Sequence, residues 1–182
     1  MLEDLRGSQE RSIPGWEEVI SEGRRLEAWQ DEAEKRMHPA PTKYLQTGRQ
    51  VQVKQVMSAL APPPVEALDP RPVIRAVSVA MAFGYLSGVH ALSEGREKGH
   101  RFILPFSLLT TPYEKECRRD PTTVGLLKAT LYGGLLAALG TDSPQQAYDL
   151  LGERRMLSLT QALLKAFGTG YYAALLSAGW GD

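Results

Sequence analysis

Cysteine is almost missing from this chain: Cys117 stands alone. It has no mate for an intramolecular disulfide, and no CxxC pair or Cys/His cluster offers a structural zinc site. Histidine is nearly as scarce, with three among 182 residues. No Walker or dinucleotide glycine pattern occurs either, because Gly133-Gly134 and Gly168-Thr169-Gly170 fall inside predicted helices, where glycine serves packing. These absences lead us to expect no cofactor and no metal, and they leave stability to the burial of apolar surface.

Long apolar runs are also lacking. The longest uncharged stretch, Ala76 to Ser93, reaches the length of a membrane-crossing helix. Alanine, glycine, serine and His90 dilute it, whereas a spanning helix leans on leucine, isoleucine, valine and phenylalanine. Met1 to Glu10 mixes acidic and basic residues with no apolar stretch close behind, unlike a signal peptide. The expectation is a soluble cytoplasmic protein, or one within an intracellularly assembled particle, with no membrane partner.

What the chain does contain is ordinary globular material. Hydrophobic residues make up 43% and charged residues 23%, enough apolar content to fold rather than stay disordered. The length suits one core. The 21 basic and 21 acidic residues balance overall, yet they are not evenly spread. From Met1 to Glu34 ten acidic residues face Arg6, Arg11, Arg24 and Arg25, a net of minus six. From Lys35 to Val65 no acid occurs, and Lys35, Arg36, Lys43, Arg49 and Lys54 give plus five. Such opposed segments pair across a helical hairpin or between subunits. Alternatively the basic stretch meets nucleic-acid phosphates through Lys43, Arg49 and Lys54, helped by Tyr44, Gln46, Gln50, Gln52 and Gln55.

Proline divides the chain into helices, since its missing N–H and fixed φ suit a first helical turn. A helix from Pro14 to about Met37 is closed by His38-Pro39-Ala40-Pro41, and a second runs from Lys43 to about Ala61. Pro62-Pro63-Pro64 then makes a stiff linker. A third helix from about Pro72 to Glu94 stops at Gly95. Arg101 to Leu109 is an apolar stretch interrupted by Pro105, predicted as a short strand or an extended segment on the core. Thr111-Pro112 and Asp120-Pro121 open two further helices, the second ending at Gly140. Ser143-Pro144-Gln145-Gln146 has capping-box spacing and starts a short helix to about Leu151. After Gly152, the last helix covers about Met156 to Ala178. This predicts an all-α fold: a compact bundle of about four main helices plus short ones. An N-terminal helical arm or hairpin (1–61) and a proline-rich linker (62–71) precede the core domain (72–182).

The pattern with most content is a row of small residues at every fourth position. Ala162, Ala166, Gly170, Ala174 and Ala178 form one such seam, Ala76, Ala80, Gly84 and Gly88 a second, and Ala129, Gly133 and Ala137 a third. A seam of this kind admits another backbone closely. It serves equally to dock a partner subunit or to pack helices of one core.

Candidate chemistry is thin. Glu27, Asp31, Glu34 and His38 share one face of the first helix, but no second helix supplies the matching ligands of a metal-binding bundle. Lys115, Arg118 and Arg119 flank Cys117 without a histidine nearby in sequence to act as base. Arg96-Glu97-Lys98-Gly99-His100 resembles the Arg and His pair of the HEPN ribonucleases, helical proteins in which that pair cleaves RNA. Fewer residues separate the pair here, and Gly95 and Gly99 imply a loop, so that activity is not carried over. The functional expectation is a non-catalytic, self-associating component of a larger assembly, such as a virus particle, with protein partners. The alternatives are nucleic-acid association through the basic segment 35–65, and a small helical hydrolase or nuclease using His90 or His100.

Overall fold

The computed structural model describes residues 34–60, 70–109 and 144–181, together with Ala28, Asp31 and Glu32. Among the described residues the protein is helical, with no strand, and its helices pack into an all-α bundle. Three long helices make the frame: α1 (Pro39–Leu60), α2 (Pro70–Ser93) and α3 (Pro144–Trp180). The helix expected from Pro14, the proline linker, the helices between Thr111 and Gly140, the third seam and Cys117 lie outside the described residues, apart from the first helix's last turns.

Helix α1 begins at Pro39, four residues before the predicted start, and the reason is local. Pro39 and Pro41 have no N–H to satisfy, so the first turn presents a single unpaired donor, the amide of Ala40. That amide donates to Nδ1 of His38 at 3.2 Å. The imidazole thus caps the start of α1, whereas His38 was expected to close the helix before it. The end of α2 is equally explicit. Gly95 takes φ +70°, and the amides of Arg96 and Gly95 donate to the carbonyls of Ala91 (2.9 Å) and Leu92 (3.1 Å). This is the paired-bond termination that a left-handed glycine makes possible. Gly152, at φ 75° and ψ 169°, kinks α3 where two helices were predicted; the second resumes at once rather than at Met156.

The core lies where α2 crosses α3. A Cβ on Gly84 would collide with the carbonyl of Phe167, and one on Gly170 with the carbonyl of Met81. Further along, a Cβ on Gly88 would lie 2.8 Å from that of Ala174. The two helices therefore run parallel, backbone against backbone. Around this crossing α2 is buried on every face from Ala76 to Gly84, and α3 from Ala166 to Leu176, as helices apolar all round must be. Helix α1 covers α3 antiparallel, with His38 near Trp180, Tyr44 near Tyr172 and Gly48 against Thr169. By length and composition Val73–Ser93 could cross a membrane, yet more than half of its most apolar window is buried inside the fold, the placement of a core helix.

Candidate interaction site

The segment joining α2 to the rest of the fold is neither strand nor free coil. After Gly95 the chain turns back along the C-terminal half of α3 and is tied to it and to α1 at successive positions. The amide of His100 donates to the Leu175 carbonyl at 2.9 Å. Arg101 Nε donates to the Gly179 carbonyl at 2.6 Å, and the hydroxyl of Tyr172 donates to the Phe102 carbonyl at 2.8 Å. Tyr44 donates its hydroxyl to the Leu104 carbonyl at 3.2 Å. Burial pushes the Tyr172 phenol up from its ordinary value, which keeps the donating proton in place. Ring contacts add to the clamp: Tyr44 against Phe106 at 4.9 Å and His100 against Tyr172 at 5.7 Å. A single 3-10 turn, Phe106–Leu108, then delivers Leu109 fully buried into the core.

Held this firmly, the loop still leaves large apolar side chains in solvent. Phe102 is 56% exposed, Ile103 58% and Leu108 57%. Exposed leucines and valines scattered on helices, such as Leu86 and Val89 on α2, need no explanation. Three large side chains within Arg101–Leu109, on a segment whose Phe102 and Leu104 carbonyls, Arg101 side chain and preceding His100 amide are all bonded to neighbouring elements, do call for one. Burying an aromatic or branched side chain is worth about 1.5–3 kcal/mol, and here much of that remains unclaimed.

The residues singled out from the sequence fare differently. Ala76, Ala80, Gly84 and Gly88 are buried, as are Ala162, Ala166, Gly170 and Ala174; among them only Ala178, at the end of its seam, is exposed. Two of the seams considered as docking faces thus occupy one another within a single chain. Of the three cations weighed for nucleic acid, Lys43 and Lys54 are not buried. Arg49 is instead half-buried and joined to Glu34 at 2.8 Å, a pair between the acidic segment and the basic one that follows it. Tyr44 and Gln52, expected to assist those cations, are buried in the fold and cannot reach a phosphate backbone.

The histidines are placed just as plainly. His90 is exposed on the last turn of α2, 3.0 Å from Glu94, whose second carboxylate oxygen holds Arg96. His100 sits among the rings of Phe102 and Tyr172. Among the described residues no group of three or more His, Cys, Asp or Glu side chains gathers to hold a metal ion. Sequence reasoning finds the apolar stretch Arg101–Leu109 but not the display of its side chains, because a loop has no period from which facing can be read. No protein-family model, curated protein or solved structure matches the chain.

Proposed function

We propose that the protein is a non-catalytic, self-associating component of a larger assembly, and that the clamped loop is where copies meet. The observation that carries this reading is the solvent exposure of Phe102, Ile103 and Leu108 on a backbone already pinned to α1 and α3. Rigid elements presenting large apolar side chains are what association uses, since contact then buries area without first having to order the surface. The nucleic-acid alternative loses two of its expected contacts, Tyr44 and Gln52, to the core, and a third, Arg49, to Glu34.

The test is mass in solution by light scattering behind a sizing column. The full chain should be a defined oligomer at micromolar concentration. The variant Phe102→Ser, Ile103→Ser, Leu108→Ser should be a monomer with unchanged helical content by circular dichroism. A variant that keeps the parent mass would show that the loop is not the contact.

A further inference from the structure

We draw no further inference here: the strongest candidate, the exposed apolar patch of Phe102, Ile103 and Leu108 on the loop clamped to α1 and α3, belongs to the site already described, and nothing in the structure shows what covers it.

Discussion

The crossing of α2 and α3 and the loop that comes after α2 solve opposite problems with opposite side chains. At the crossing, Gly84, Gly88, Gly170 and Ala174 remove bulk until backbones touch, and of the two seams only Ala178 is left exposed. In the loop, hydroxyls and carbonyls fix the backbone while Phe102, Ile103 and Leu108 stay outside. Small residues at regular spacing thus mark a contact closed within the chain, and bulky residues without spacing mark the open one. The lesson concerns what a repeated small residue signifies. It announces that some backbone comes close, and for the two seams among the described residues that backbone belongs to the facing helix.

The comparison can be broken hardest at the crossing. Gly170→Val places branched carbons against the Met81 carbonyl, where neither helix can yield. The expected loss is about 3 kcal/mol or more in urea unfolding, at the upper end for overpacking. A tolerated valine would mean that the helices are not held together there. On the neighbouring α1, Gln52 works against the fold: it is 0% exposed, and neither its amide nitrogen nor its oxygen has a hydrogen-bond partner. Gln52→Met should therefore raise stability by roughly 1 kcal/mol, seen as a higher urea midpoint with unchanged slope.

The clamp is the next weakest point. Tyr172→Phe removes a donor to the Phe102 carbonyl and should cost about 1 kcal/mol. The same residue sets an alkaline limit, together with Tyr85, whose phenol burial also pushes up, against a smaller opposing effect of a hydrogen bond with Ser177. A phenol whose folded value lies above its unfolded one stabilises the fold fully at pH values below the unfolded value of 10.0. That contribution fades as pH rises through the folded value. Thermal melts from about pH 8 to 11 should fall more steeply above about pH 10 for the parent chain than for Tyr172→Phe. The smallest effect belongs to the open side. Each single serine substitution at Phe102, Ile103 or Leu108 should change monomer stability by only about 0.5 kcal/mol, and a loss of about 2 kcal/mol or more at one of them would place that side chain inside the core.

Much of the helical frame is legible in the sequence because its signals are chemical. Pro39, Pro70 and Pro144 open helices, Gly95 ends one, and Gly152 kinks another, each for a reason of φ or of a missing N–H. The start of α1 is less legible, because His38-Pro39-Ala40-Pro41 carries the marks of an ending. One pair of prolines both stops the helix before it and begins the helix after it. Gln52 misleads for a different reason: an amide among cations suggests a polar face, although Leu45, Gly48 and Val56 on the same side of α1 are buried. The interaction site is the least legible part. Which side chains of Arg101–Leu109 point outward depends on hydroxyls from Tyr44 and Tyr172, far away in sequence, and no local pattern encodes that distance.

The clamp has a thermodynamic consequence. Fixing the backbone of one residue costs about 1–2 kcal/mol of conformational entropy at room temperature. For the loop between His100 and Leu109 that cost is met during folding, through Leu175, Tyr172, Gly179 and Tyr44. Whatever chain meets Phe102 and Ile103 meets a backbone with little disorder left to lose, so association is spared that ordering cost and has only rigid-body freedom and side-chain rotamers to offset. Loosening the clamp should then weaken association while every contacting side chain remains in place.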